Sequence, residues 1–145
     1  MLDLCLAPMV LAGYVFLSDV TTQVKKHTLQ TTGQGEYLEV MTCRKGFGLD
    51  AKASTTGLYA LDVRYGAELE LGKAWVNLAP FGGISYTDHD VYELPQAVQF
   101  SVGAQLQLGY DRYSVGISLW HLSNAGLTAP NIGLNNVVIS TGFQF

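Results

Sequence analysis

Val98-Gln99-Phe100-Ser101-Val102-Gly103-Ala104-Gln105-Leu106-Gln107-Leu108-Gly109-Tyr110 alternates without a break. Val98, Phe100, Val102, Ala104, Leu106, Leu108 and Tyr110 share one face of an extended chain, and Gln99, Ser101, Gly103, Gln105, Gln107 and Gly109 share the other. Successive side chains of a β-strand point to opposite faces, so this stretch reads as a strand with one apolar and one polar side. It is about twice as long as an ordinary strand. Alternation sustained over ten or more residues is what a tilted strand needs to cross a bilayer.

The pattern recurs on both sides of this stretch. Tyr59, Leu61, Val63, Tyr65, Ala67, Leu69 and Leu71 oppose Ala60, Asp62, Arg64, Gly66, Glu68 and Glu70. After the turn Gly72-Lys73, Val76, Leu78, Pro80, Gly82, Ile84 and Tyr86 oppose Trp75, Asn77, Ala79, Phe81, Gly83 and Ser85. Tyr113, Val115, Ile117 and Leu119 begin another apolar stripe, and Val137, Ile139, Thr141, Phe143 and Phe145 form the last. Before residue 57 the signal is weaker, with candidate strands at Met9–Leu17, Tyr37–Cys43 and Phe47–Thr55 and a polar segment, Ser18–Gly35, that reads as a loop or ragged hairpin. Three strands plus five give eight, the smallest common membrane barrel.

Composition bounds the classes. The chain has 145 residues, the size of one domain, so a single barrel over residues 1–145 is expected. Apolar residues make up 48% and charged residues 14%, yet no run approaches the roughly 18 apolar residues of a membrane helix. Dispersed apolarity fits either a soluble β-protein or a membrane barrel. Glycine and small side chains on the polar face favour that face as the cramped interior. Tyr59, Tyr86, Tyr110 and Tyr113 end the apolar stripes as aromatic girdles do. The net charge of −4 argues against a nucleic-acid partner. Cys5 and Cys43 make no metal motif and read as buried thiols. The amino terminus lacks a basic segment and carries Asp3, so it reads as a poor signal peptide. The alternating, aromatic carboxy terminus resembles the signal by which outer-membrane assembly machinery recognises its barrels.

In an eight-stranded bacterial barrel both termini and the short turns face the periplasm. Gly72-Lys73 and Tyr110-Asp111-Arg112 are then periplasmic. The loops Thr87–Gln96 and Asn124–Leu134 are external, and His121 and Ser123 lie at the depth of the outer leaflet. Residues two apart share a face, so His121 and Ser123 continue the stripe that ends at Leu119. They are a base and a hydroxyl nucleophile side by side on the lipid-facing surface. Gly126 permits a turn that exposes backbone N–H groups where an oxyanion develops. Trp75 and Trp120 fall inside by parity. Asp62, Arg64, Glu68 and Glu70 read as interior packing and ion pairs, and His27 and His89 as solvated residues. No metal-ligand or phosphate-loop spacing is present.

His121-Leu122-Ser123-Asn124-Ala125-Gly126-Leu127, followed by Pro130-Asn131-Ile132-Gly133, resembles the signature of the lipid A 3-O-deacylase family (PagL type). The resemblance implies an eight-stranded antiparallel up-and-down transmembrane barrel in the bacterial outer membrane, its site facing the outer leaflet. It implies hydrolysis of the ester-linked acyl chain at position 3 of lipid A in lipopolysaccharide, without a cofactor. His121 is then the base and Ser123 the nucleophile, while Asn124, Ala125, Gly126 and Asn131 belong to the oxyanion side. The family places a Glu shortly after Pro-Asn-x-Gly to orient the histidine. Here Asn135 stands at that position, able to orient an imidazole but without negative charge. Asp88, Asp90 and Glu93 are alternative carboxylates. The rival readings are a non-enzymatic outer-membrane barrel with a degenerate triad, structural or adhesive, and a soluble lipid-binding barrel.

Overall fold

A computed structural model describes residues 8–22, 34–88, 97–125 and 132–145. The sequence readings at Cys5, His27, His89, Asp90, Glu93, Gly126 and Asn131 lie outside the described residues. The strands are β1 (Met9–Thr22), β2 (Gly35–Met41), β3 (Gly46–Ser54), β4 (Leu58–Leu71), β5 (Ala74–Thr87), β6 (Val98–Tyr110), β7 (Tyr113–Ser123) and β8 (Ile132–Gln144). Each pairs antiparallel with its sequence neighbour, and β1 pairs with β8 to close the barrel. The predicted all-β, eight-stranded up-and-down barrel is the observed fold.

β2 lies two residues earlier than the expected Tyr37–Cys43, and two boundaries move further. β1 runs on to Thr22, into the segment read as loop or ragged hairpin, because its pairing with β8 continues to Thr22 opposite Ile132. The β7–β8 loop ends earlier than expected, since Gly133 and Leu134 already pair with Thr21 and Val20. Two tight turns, Gly72-Lys73 and Asp111-Arg112, join long strands at the end that also holds Phe145 and Pro8. Gly72 and Asp111 both have positive φ, the backbone that two-residue hairpins demand.

The two faces decide the solvent. Leu61, Val63, Ile84, Val102, Val115 and Leu119 point outward and are more than half exposed. Glu39, Asp50, Lys52, Asp62, Arg64 and Gln105 are almost wholly buried inside. A water-soluble barrel would reverse this arrangement, so the outer surface is a lipid-facing belt. Tyr59 against Tyr86 near one end, and Tyr113 against Phe143 near the other, pair aromatic rings at its edges.

The interior is a layered plug. Met9, Leu11, Met41 and Trp75 fill the turn end. Val15, Tyr37, Leu58, Trp120, Leu122 and Leu134 belong to the cluster at the opposite end. A charged layer lies between. Lys52 Nζ is 2.5 Å from Asp62 and 3.3 Å from Asp50. Arg64 donates to Gln105 Oε1 and Asn77 Oδ1, each at 3.2 Å. Gln105 Nε2 donates to Glu39 (2.9 Å) and Ser118 (3.0 Å), and Tyr37 donates its hydroxyl to the same Glu39 oxygen (2.8 Å). Buried charges survive only when paired and hydrogen-bonded in this way. Glu70 departs from the interior assignment. Its side chain is 54% exposed and binds Lys45 at the rim, because β4 has by then run past the plug.

Candidate functional site

Strict alternation along β7 sends Ser118, Trp120 and Leu122 inward, leaving His121 and Ser123 half-buried on the outer face. On β6, Val102 stands opposite His121 and Phe100 opposite Ser123. On β8, Asn135 stands opposite His121. Cross-strand partners share a face, so the register brings the histidine and the Asn together. His121 Nδ1 lies 2.7 Å from Asn135 Oδ1. An amide oxygen only accepts, so the ring carries its proton on Nδ1 and donates it there. In the neutral ring that arrangement leaves Nε2 as the nitrogen able to accept a proton, as a general base must.

The site is held in register from inside the barrel. Trp120 donates its indole N–H to Ser101 Oγ at 2.7 Å. Asn136 Nδ2 donates to the carbonyl oxygen of Trp120 at 3.2 Å. These bonds join β6, β7 and β8 one residue away from His121 and Asn135, on the opposite face. Asn136 is thus a supporting residue that the sequence reading passed over. The alternation that sends Asn135 outward necessarily sends Asn136 inward, so its signal was present.

Beyond Ser123 the chain turns sharply. Asn124 is buried and Ala125 exposed. Ala125 adopts φ 53°, a left-handed conformation uncommon for a residue with a Cβ. Backbone held in such a region is a reservoir of strain that concentrates at functional sites. It returns the Ala125 N–H to within 3.4 Å of Ser123 Oγ. Asp88, an alternative orienting acid, sits instead at the end of β5, where its N–H donates to Gly57. The structure does not bring it to His121. An apolar groove of about 400 Å³ opens beside the histidine, its lining including Val102, Ala104, Leu119, Asn135 and Val137.

The family model described as lipid A 3-O-deacylase (PagL) matches residues 63–144, which include His121, Ser123 and Asn135. The chain belongs to the PagL family. A search of curated proteins finds no match. Among solved structures the chain is similar to the outer membrane enzyme PagL, at 19% identity and a TM-score of 0.57 over 92% of this chain and 98% of that one. It is also similar to Ail, the attachment invasion locus protein of Yersinia pestis, at 13% identity and a TM-score of 0.51 over 96% and 98% of the respective chains. Both likenesses establish the barrel.

Proposed function

We propose that this PagL-family barrel is an outer-membrane serine esterase that removes the 3-O-linked acyl chain of lipid A. The observation that carries the reading is the His121–Asn135 hydrogen bond beside Ser123 on the lipid-facing surface. His121 Nε2 takes the Ser123 hydroxyl proton as Oγ attacks the ester carbonyl. It returns that proton to the sugar oxygen as the carbon–oxygen bond breaks. Water then releases the fatty acid from Ser123 by the same two transfers in reverse roles. The Ala125 N–H supplies a donor for the oxyanion, and the family resemblance assigns Asn124, Gly126 and Asn131 to the same role. The groove beside His121 seats the acyl chain, and the surrounding lipid keeps bulk water from competing.

The test is mass spectrometry of lipid A from cells making this chain or its Ser123→Ala variant. Loss of one hydroxyacyl group that depends on the serine supports the esterase. Unchanged lipid A from a barrel shown to be folded in the outer membrane overturns it. A non-enzymatic role is the second reading, favoured by Asn135 in place of a carboxylate and by the likeness to Ail.

A further inference from the structure

The esterase reading places an ester carbonyl at Ser123, and the outer surface beyond it decides how the acyl chain lies. The strand register sorts that surface into rows. Phe100 stands opposite Ser123. One row nearer the turn end are Val102, His121 and Asn135. The next row holds Ala104, Leu119 and Val137, and the one after it Leu106, Ile117 and Ile139. Acyl chains of outer-leaflet lipid descend toward the middle of the bilayer, and Ser123, His121 and Leu119 follow one another in the same direction along β7.

Ala104 breaks the pattern of its strand. The outward stripe of β6 is Val98, Phe100, Val102, Ala104, Leu106, Leu108 and Tyr110, and Ala104 is its one side chain that ends at Cβ. The groove of about 400 Å³ beside His121 lies there, with Ala104, Leu119 and Val137 in its lining. The branched side chains of Leu106, Ile117 and Ile139 close the surface again one row on. Leu119, opposite Ala104, stands about 13 Å of strand from Ser123. A butanoyl chain held at Ser123 stops short of Ala104, and a dodecanoyl chain crosses it.

We infer that Ala104 is a specificity-determining residue that selects long acyl chains over short ones, by keeping open the groove in which a long chain lies against the sheet beyond His121. Shape has to do this work. Lipid tails are as apolar as the groove, so a chain gains nothing from the hydrophobic effect on moving from one to the other. What it gains is dispersion contact, and that falls off steeply when the fit is poor. A chain resting on Ala104 touches the walls at Leu119 and Val137. A larger side chain at this position lifts the chain off the sheet and draws its carbonyl away from Ser123. A chain too short to reach Ala104 does not meet the obstruction.

This inference rests on the esterase reading, so the experiment separates the two. Wild type, Ala104→Leu, Ala104→Phe and Val115→Phe are refolded in detergent and reacted with butyl and dodecyl fluorophosphonates. Ser123 Oγ bonds to phosphorus as fluoride leaves, and the alkyl chain takes the place of the acyl chain. The readout is the ratio of dodecyl to butyl labelling rates, which does not depend on how much of each barrel refolds. The same proteins are assayed for lipid A deacylation. Ala104→Phe is expected to lower the ratio about 10-fold, the size of an overpacking penalty, with Ala104→Leu between it and wild type. Val115→Phe adds bulk to the outer face beyond the closing row and should change the ratio by less than about 2-fold. An unchanged ratio in Ala104→Phe, or an equal fall in Val115→Phe, overturns the inference and leaves the esterase standing. A wild-type protein that neither labels at Ser123 nor cleaves lipid A overturns the esterase and the inference together. Labelling without cleavage corrects the substrate alone, and Ala104 is then judged on the labelling ratios.

Discussion

Lys52 is the most sharply testable residue of the plug. Its ammonium touches Asp62 (2.5 Å) and Asp50 (3.3 Å), lies 4.0 Å from Glu39, and packs over the Phe81 ring at 3.8 Å. In this layer Lys52 and Arg64 face Glu39, Asp50 and Asp62, two cations against three carboxylates. Lys52→Met keeps most of the side-chain volume and its contact with Phe81. It leaves Arg64 alone against three buried carboxylates, so the layer goes from one excess negative charge to two. Breaking a buried pair by removing one partner costs about 3–5 kcal/mol, because the remaining charge is stranded away from water. The assay is urea unfolding of the barrel in phospholipid vesicles, followed by the fluorescence of Trp75 and Trp120, both buried. Lys52→Met with Asp62→Asn returns the layer to one excess negative charge and should recover at least half of the loss. A single variant within about 1 kcal/mol of wild type, the size of an ordinary surface change, would refute the reasoning. So would a double variant no better than the single one.

Other expectations concern the site and the belt. Asn135→Leu removes the acceptor of His121 Nδ1–H and should lower the rate of lipid A deacylation by about 100-fold without changing the heat-induced gel shift of the folded barrel. Gly103→Ala places a Cβ against the Leu119 carbonyl and the Phe81 ring on the reverse side of the site. It should destabilise by about 2 kcal/mol as judged by urea unfolding, since overpacking against backbone has no cheap relief. Val63→Arg puts a charge on the outer face midway along β4, at a position 54% exposed. It should cost about 2–4 kcal/mol in vesicles and much less in detergent micelles, where the head can reach water.

The sequence was most legible where its two faces differ most. From β3 to β7 the polar residues alternate with apolar ones, and parity alone assigns interior residues such as Asp50, Asp62, Arg64, Asn77, Gln105 and Trp120. β1 was opaque for the opposite reason. Leu11 to Leu17 is apolar on both faces, so an extra residue leaves no mark on the hydrophobic pattern. The bulge at Phe16 emerged only from its pairing with β8. The site divides in the same way. That His121 and Ser123 share a face follows from their spacing within one strand. That His121 bonds Asn135 depends on the register between two strands, and no count along one of them supplies it. The expected loop to Leu134 failed because Gly133 looks like punctuation in sequence but is paired with Thr21 in the barrel.

The division of labour between the two faces explains why a site can stand on the outside of this barrel at all. A base exposed to lipid has few neighbours of its own to fix it. Here the fixing is done through the sheet. Trp120 and Asn136, facing inward, tie β6, β7 and β8 together, while His121 and Asn135, each one residue along, inherit that register on the outer face. Bulk water is kept from the plug by Met9, Leu11 and Trp75 at one end and by Trp120, Leu122 and Leu134 at the other. The polar interior therefore acts as scaffold, and on the proposed esterase function the substrate meets the outer face alone. On this argument Asn136→Leu should impair turnover more than its effect on stability predicts, because it loosens the Trp120 carbonyl and with it the strand that carries both His121 and Ser123. Equal activity per folded molecule in Asn136→Leu and wild type would show that the register is set elsewhere.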